Sequence, residues 1–375
     1  MKRIAILIEN LLIDSGGAEK YGLKLAEVLS CRYGVTVVCK KGRFKPEEVF
    51  RKYNSPAFSL IVYKGLSDDN KIIKTLDRVR LRMILKKTVC GKFDLYINAT
   101  LNRDIGLPDI KNIHLIHFPR RPYKTIIPWP LGNILDKNYR ASYDMLIANS
   151  LYTKQWIKKY WELDSTELNP PIDMPPVSGG VIDEKEKLII TVGRFSPEKK
   201  LEVMAEAFVN GIYPENKDWR LVIAGNISDK EEAYYEKLKN FEMTCPGISV
   251  KGNLQYSELL ELYKRAAVYW HANGYGNKNG DPLYSEHFGM TTVEAMTQGC
   301  VPVVVDKAGQ REIVDNEVNG FRWNSLEKLT SMTERLINDP NLRKRMAENA
   351  VLKAERYGIK VFSDKALKVI GDIIE

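Results

Sequence analysis

Short apolar runs alternate with longer segments of helical periodicity in the first half of the chain. Arg3–Glu9 (RIAILIE) is typical of a buried strand. The residues that follow place Leu23, Ala26 and Leu29 on one side of a helix, and Val35–Lys40 is apolar again. A strand–helix–strand unit of this kind predicts a parallel sheet, because parallel strands need a crossover connection.

The alternation continues to the C-terminus. Four further strands are predicted in the first half, at Phe58–Lys64, Phe93–Thr100, Asn112–Phe118 and Tyr143–Ser150. A basic helix, Lys71 to Lys87, lies between the first two of them. From residue 187 a second series begins, with strands predicted at 187–195, 219–226, 247–253, 268–272 and 301–305, separated by helices. The tail from Ser325 is helical in pattern.

A change of composition separates the two series. Glu167–Glu186 contains four prolines and a Gly pair, which is typical of a linker. We therefore predict an α/β protein with two doubly wound, Rossmann-like domains, at 1–170 and 187–355. A linker spans 171–186, and the helix at 356–375 is expected to pack back on the first domain. Ligands of such sheets bind beyond the carboxyl ends of strands, so we expect a site in a central cleft that the two domains face.

Composition narrows the class of partner without choosing one. Hydrophobic residues make up 44% of the 375 positions and charged residues 28%, as in soluble globular proteins. The net charge of +9 indicates an anionic partner: a nucleotide, a nucleic acid or an acidic membrane surface. The five cysteines are scattered, which fits a reducing cytoplasm. No stretch approaches the ~18 apolar residues of a membrane span, so a cytoplasmic protein, soluble or peripheral, is expected.

Two strand-to-helix loops carry groups that suit an anion. Gly16 and Gly17 open the first helix, where close backbone approach and unpaired N–H groups favour a phosphate. The pattern is not GxGxxG, so a tight turn explains it equally well. In VGRFSPEKK, Arg194 and Lys199 could neutralise a diphosphate, with Arg as a bidentate fork and Lys as a point charge. The alternative is an ordinary solvated loop.

The stretch SEHFGMTTVEAM brings two glutamates, Glu286 and Glu294, to the start of a predicted helix. Residues 289–292 should form its first turn and direct free N–H groups to the same site. Carboxylates accept hydrogen bonds from vicinal hydroxyls, as they do for ribose in dinucleotide folds. A sugar and a ribose are therefore plausible targets, although glutamates eight positions apart are common by chance.

Histidines and metal ligands add little. His117 ends a first-domain strand beside Arg120 and Arg121, yet a lone histidine is more often structural than catalytic. His271 and His287 have no partners at metal-ligand spacing. No Asp-x-Asp occurs, so a carboxylate-held divalent ion is not indicated.

Taken together, these motifs resemble the retaining glycosyltransferases of the GT-B class and family-4 type (glycosyl transferases group 1), which include mannosyltransferases and sucrose-synthase-like enzymes. The resemblance spans nearly the whole chain, and its motifs occur in family order. They are GGAE, HFP, NPPID, VGRFSPEKK, AG (Ala224–Gly225), EHFGMTTVEAM and AGQREIVDNEVNGF (Ala308–Phe321). The last motif departs from the family, since Ala308-Gly309 stands where a Gly pair is commoner.

The resemblance implies roles for these residues. Arg194 and Lys199 would bind the donor diphosphate, Glu286 the donor-sugar hydroxyls and Glu294 the ribose. Backbone amides at Gly16–Gly17 and at Phe288, Gly289 and Met290 would approach phosphates or sugar, and His117 would lie near the donor sugar. The residues counted as catalytic are Glu286, His117, Arg194 and Lys199, and no metal or further cofactor is expected.

The resemblance also implies the reaction, with alternatives. The variant EHFG is similar to that of mannosyltransferases that build lipid-linked glycans, so GDP-mannose is the first choice of donor and a glycan or lipid-linked molecule the acceptor. A UDP-sugar transferase of the same fold and an inactive sugar-nucleotide-binding protein are the alternatives. A sugar-nucleotide epimerase lacks the E-x7-E element in this setting. No nucleic-acid-binding module is evident.

The basic helix at 71–87 suggests one further partner. Its apolar residues lie among Lys and Arg, and RRPYKTIIPWPLG (Arg120–Gly132) adds Trp129. A basic amphipathic helix with an interfacial Trp fits an anionic membrane on its cytoplasmic face. A core-packed helix with solvated cations is the alternative.

Overall fold

The computed structural model describes residues 1–8, 16–40, 58–65, 71–101, 105–121, 140, 142–177, 182, 184–227, 231–277 and 280–375, with side chains from residue 77 onward in the helix that begins at residue 71. Asp14 and the segment 122–132 with Trp129 lie outside these residues. The chain forms two compact units: Met1–Pro171 together with Ile359–Glu375, and Ile172–Gly358.

The first unit is built on a seven-stranded parallel sheet of order β3-β2-β1-β4-β5-β6-β7. Its strands are β1 (Arg3–Leu7), β2 (Gly34–Lys40), β3 (Ser59–Tyr63), β4 (Leu95–Asn98), β5 (Lys111–Ile116), β6 (Met145–Ala148) and β7 (Thr166–Glu167). Its helices are α1 (Gly17–Ser30), α2 (Lys71–Val89), α3 (Leu151–Trp161) and the C-terminal helix (Ile359–Ile374). The central strands are buried on both faces, which explains their continuous apolar runs.

The C-terminal helix completes the core of the first unit. Phe362, Ala366 and Ile370 are spaced four residues apart, which places them on one face, and all three are buried. They belong to the same hydrophobic cluster as the buried residues of α1, including Leu25 and Leu29. Residues 359–375 therefore depend on the first 171 residues for a buried surface.

The second unit is a six-stranded parallel sheet of order β10-β9-β8-β11-β12-β13. Its strands are β8 (Glu186–Val192), β9 (Arg220–Gly225), β10 (Ile248–Gly252), β11 (Ala266–His271), β12 (Val301–Val305) and β13 (Phe321–Trp323). Its α-helices are α4 (Leu201–Ala207, continued by a π-helical turn, Phe208–Ile212), α5 (Glu232–Thr244), α6 (Tyr256–Arg265), α7 (Met290–Thr297), α8 (Gln310–Ile313), α9 (Leu326–Asn338) and α10 (Pro340–Ala354); the C-terminal helix of the first unit is α11.

The proline-rich segment after residue 171 packs on the second unit. Ile172 and Met174 are buried in one of its hydrophobic clusters. The backbone of Ile172 pairs with Gly358, and its N–H donates to the Tyr357 carbonyl at 2.8 Å. The start and the end of the second unit are thus joined by backbone hydrogen bonds.

Strand order locates the place where a ligand is expected in the second unit. The chain runs outward in one direction from β8 to β9 and β10, and then returns to β11 on the other side of β8. The carboxyl ends of β8 and β11 therefore form a topological switch point, where loops from the two strands diverge and leave a crevice.

Candidate functional site at the switch point of the second unit

The loop after β8 carries Arg194 and Lys199 and is fixed by β9. Gly193 N–H donates to the Ala224 carbonyl at 3.0 Å, which continues the sheet pairing beyond β8. A Cβ on Gly225 would lie 1.7 Å from the Gly193 carbonyl oxygen, so glycine is required for this close approach. The loop ends in a 3₁₀ turn, Pro197–Lys199, which places Lys199 directly before α4.

The segment after β11 returns Glu286 to the same place. Lys199 Nζ lies 2.7 Å from Glu286 Oε2, although 87 positions separate the two residues. Their side chains are 20% and 22% exposed, so this is a largely desolvated ion pair. Two other groups approach the same oxygen: Asn273 Nδ2 donates to it at 3.2 Å, and His271 Nε2 lies 3.5 Å away.

The surroundings of Glu286 keep its carboxylate charged. Burial acts to raise the pKa of Glu286, but the Lys199 ammonium and the His271 ring outweigh it, so the pKa lies well below its ordinary value. Burial also lowers the pKa of His271, which favours a neutral ring that donates through Nε2–H. An ionised Glu286 accepts hydrogen bonds and is a poor proton donor, which suits the binding of hydroxyl groups.

Glycines set the shape of the turn between Glu286 and α7. Gly289 adopts φ +117°, a conformation that other residues rarely adopt, and starts the helix as its N-cap. Gly309 N–H donates to the Glu286 carbonyl at 3.0 Å, and a Cβ on Gly309 would lie 2.5 Å from the Phe288 carbonyl oxygen. Before it, Ala308 has φ +48°, which glycine would adopt without strain.

The N-terminus of α7 offers backbone donors beside Glu286. The first N–H groups of a helix have no intrahelical acceptor, and the positive end of the helix dipole favours an anion. The buried Phe288 ring packs edge to face against Tyr357, which holds the turn before α7 in place. The Met290 side chain is half-buried. The arrangement could bind a phosphate oxygen through its backbone.

Arg194, in the loop after β8, and Glu294, in α7, have other partners. Tyr263 OH donates to Glu294 Oε2 at 3.3 Å, and burial, followed by the Glu294 charge, raises the pKa of Tyr263. Arg194 Nη2 lies 3.3 Å from Glu198 Oε1, and the Arg194 side chain is 62% exposed. The structure thus joins Lys199 to Glu286, whereas Arg194 pairs within its own loop and Glu294 with Tyr263.

The candidate residues of the first unit are Gly16 and Gly17 at the start of α1, and His117 after β5. Gly16 is the N-cap and Gly17 the first residue of that helix. Tyr21, one turn on, packs edge to face on the His117 ring at a centroid distance of 6.0 Å and donates to the Leu168 carbonyl. His117 is 7% exposed, and its carbonyl accepts from Thr153 Oγ1. These contacts are equally consistent with a structural role and with a catalytic role for His117.

Sequence reasoning missed three residues of the site. His271 has no partner at metal-ligand spacing in the sequence, and Asn273 belongs to none of the recognised motifs. Their position at the carboxyl end of a strand was the available signal, since side chains there face the ligand site of a doubly wound sheet. Lys307 directly precedes the motif that begins at Ala308, and its Nζ donates to the Gly274 carbonyl at 2.8 Å, which holds the loop after β11. Within the described ranges, no group of three or more His, Cys, Asp or Glu side chains could hold a metal ion.

The second unit is similar to one known protein family. Residues 178–353 match the family described as Glycosyl transferases group 1. The match lies within the second unit, and the likeness to solved structures shows the GT-B fold, as the motifs predict.

Individual relatives are distant. The chain is 24% identical over 277 residues to a GDP-Man:Man(3)GlcNAc(2)-PP-Dol alpha-1,2-mannosyltransferase of Dictyostelium discoideum, covering 67% of this chain and 52% of that protein. It thus spans about half the length of such curated relatives. An uncharacterized glycosyltransferase of Haemophilus influenzae is 23% identical, covering 96% of this chain and 97% of that protein. Anabaena HepE, solved in complex with UDP, superimposes with a TM-score of 0.74 at 16% identity, covering 99% and 100% of the two chains.

Proposed function

We propose that this protein is a retaining glycosyltransferase that moves a hexose from a nucleotide-diphosphate sugar, GDP-mannose as the first choice, to a glycan or lipid-linked acceptor without a metal ion. The observation that carries the proposal is the Lys199–Glu286 pair beside the N-terminus of α7. A carboxylate, an ammonium and helix N–H groups at one switch point match a sugar joined to a diphosphate.

The chemistry follows from where charge develops. Cleavage of the anomeric C–O bond leaves an oxocarbenium-like sugar and adds negative charge to the departing diphosphate. Lys199, Arg194 and the α7 N–H groups would stabilise that charge by preorganised electrostatics. Glu286 would accept hydrogen bonds from sugar hydroxyls and Glu294 from the ribose. Same-face attack, with the leaving phosphate taking the acceptor proton, requires no nucleophilic carboxylate of the glycosidase kind.

Donor identity is open to a direct binding test. GDP-mannose is favoured by the named activity of the Dictyostelium relative, and a UDP-sugar by the UDP complex of HepE. We expect one of GDP-mannose, UDP-glucose, UDP-GlcNAc and ADP-glucose to raise the melting temperature by several degrees at 100 times its Kd, because ligand binding to the native state stabilises it by ~2.7 kcal/mol at that ratio. No stabilisation by any of the four would contradict the proposal, and stabilisation without turnover would favour the inactive sugar-nucleotide-binding alternative.

We also propose that the outer face of α2 contacts an anionic membrane, on the cytoplasmic side. Val79 and Met83 are 54% and 68% exposed, which is unusual for apolar side chains one turn apart. Arg78, Arg80 and Lys87 flank them, without a carboxylate partner among the described residues, whereas Lys86 pairs with Asp109. Apolar residues among cations suit the interface of an acidic bilayer. No helix in the described part of the chain is long and apolar enough to cross a bilayer.

The membrane proposal predicts salt-sensitive vesicle binding. We expect the protein to sediment with phosphatidylserine-containing liposomes at low salt and to be released at high salt, because screening weakens surface attraction. The double substitution Val79→Glu and Met83→Glu should abolish sedimentation. Leu352→Glu, at a 62% exposed leucine of the second unit, is the matched control and should not. Absence of binding by the unmodified protein at low salt rejects the proposal.

A further inference from the structure

The two oxygens of Glu286 have different surroundings. Oε2 is approached by three nitrogen donors, from Lys199, Asn273 and His271, at 2.7, 3.2 and 3.5 Å. No hydrogen bond to Oε1 is formed among the described residues. A carboxylate has about four acceptor positions, two on each oxygen. The three donors therefore fill the positions on Oε2, whereas the two positions on Oε1 remain available to a ligand.

We infer that His271 and Asn273 are positioning residues, which hold Glu286 through Oε2 so that Oε1 is directed to a hydroxyl group of the donor sugar. The inference rests on the proposed function and deepens it, because it names the atom that receives the sugar. Lys199 contributes charge to the same oxygen, whereas the two neutral groups contribute direction. The sugar must then present an O–H donor to Oε1, since a carboxylate only accepts.

The burial of the two side chains supports this role. His271 is 5% exposed and Asn273 is 7% exposed. Each makes only the hydrogen bond to Glu286 within the described structure, and His271 Nδ1 and Asn273 Oδ1 are buried without a partner. Burial of a half-satisfied polar group disfavours folding. Apolar residues would be more stable at both positions if packing were their purpose.

Local structure makes the arrangement rigid. His271 is the last residue of β11, hydrogen-bonded in the sheet opposite Val304 of β12. Asn273 follows two residues later, and Lys307 Nζ bonds the carbonyl of the next residue, Gly274. Two donors on a fixed strand end can therefore hold one carboxylate orientation against rotation of the Glu286 side chain.

Binding measurements test the inference. For each variant, calorimetry measures two dissociation constants: the Kd of the nucleotide sugar selected by the thermal-shift panel, and the Kd of the corresponding nucleoside diphosphate. The ratio of the two Kd values reports the contribution of the sugar alone. We expect His271→Leu and Asn273→Leu to reduce the sugar's contribution about tenfold to a hundredfold, as for a hydrogen bond to a charged group, with the bare diphosphate unchanged. His271→Gln, which retains a donor, should restore most of it. In a Glu286→Gln background, Asn273→Leu should have little further effect, because coupled residues are non-additive.

A second measurement needs no donor. Carbon-13 NMR of labelled glutamate reports the pKa of Glu286, which we expect to rise toward its ordinary value in both leucine variants, since donors to Oε2 stabilise the charged form. The inference is wrong if the leucine variants fold and the pKa of Glu286 is unchanged in them. It is also wrong if Glu286→Gln abolishes the sugar's contribution to binding while the leucine variants leave that contribution unchanged. Failure of the unmodified protein to bind any nucleotide sugar contradicts the proposed function instead, and the pKa still decides whether His271 and Asn273 hold Glu286.

Discussion

We expect Lys199→Ala to lower the rate of sugar transfer about 10²- to 10³-fold and to leave the protein folded. That range is typical for removal of one preorganised group that stabilises developing charge. In the structure Lys199 neutralises Glu286 at 2.7 Å, and in the proposed mechanism it also neutralises the diphosphate. Without it, both the bound carboxylate and the departing diphosphate lose their counter-charge. Steady-state kinetics with the donor selected above measures the effect.

Matched variants separate the site from general charge effects. Lys187→Ala removes a lysine that also pairs with a carboxylate, Asp218, but at the opposite end of β8. Its turnover should stay within twofold of the unmodified protein. Glu286→Ala should be as damaging as Lys199→Ala, because it removes the sugar contact. Near-normal turnover in both Lys199→Ala and Glu286→Ala would show that the site is wrongly assigned.

We expect Gly309→Ala to destabilise the protein by about 1–3 kcal/mol and to reduce turnover more than tenfold. The backbone of Gly309 is in the right-handed region, so the effect is steric, as in overpacked cores. The added Cβ would meet the Phe288 and His287 carbonyl oxygens at 2.5 and 2.6 Å. The Glu286–Gly289 turn must then move, and Glu286 moves with it, because Gly309 N–H bonds the Glu286 carbonyl. Thermal melting and kinetics on one preparation report both effects.

The neighbouring residue provides the control for Gly309→Ala. Ala308→Gly removes the strain of φ +48°, roughly 1 kcal/mol, and adds a similar entropic cost of ordering glycine. Stability should therefore change by less than about 1 kcal/mol, with normal turnover. Equal losses in the two variants would mean that any change in this turn is harmful and that the Cβ contact is not the cause.

The alternation of apolar and helical segments was sufficient to predict the fold class. Strands such as β1 and β8 are continuous apolar runs because they are buried on both faces of a parallel sheet. Such runs can be recognised in the sequence without knowledge of the tertiary structure. The prediction of two parallel-sheet domains of the GT-B fold is confirmed. The π-helical turn at Phe208–Ile212 was not predicted, because its residues continue the helical pattern of α4.

The site was only partly accessible from the sequence. Residue types at strand ends pointed to Lys199 and Glu286 separately, but their contact depends on strand order, which brings β8 beside β11. The roles of His271 and Asn273 were not predicted, because both side chains act on one oxygen of Glu286, a contact that only the structure shows. The roles assigned to all of the site residues stay predictions, since their observed contacts, including that of Lys199 with Glu286, are with the protein itself.

The first unit is discontinuous in the chain, and this has a consequence for biosynthesis. During synthesis the apolar surface of α1 stays uncovered until Phe362, Ala366 and Ile370 have been translated, after the whole of the second unit. Residues 172–358 are continuous and can acquire their full set of contacts earlier. We therefore expect the second unit to complete its folding during synthesis before the first unit does.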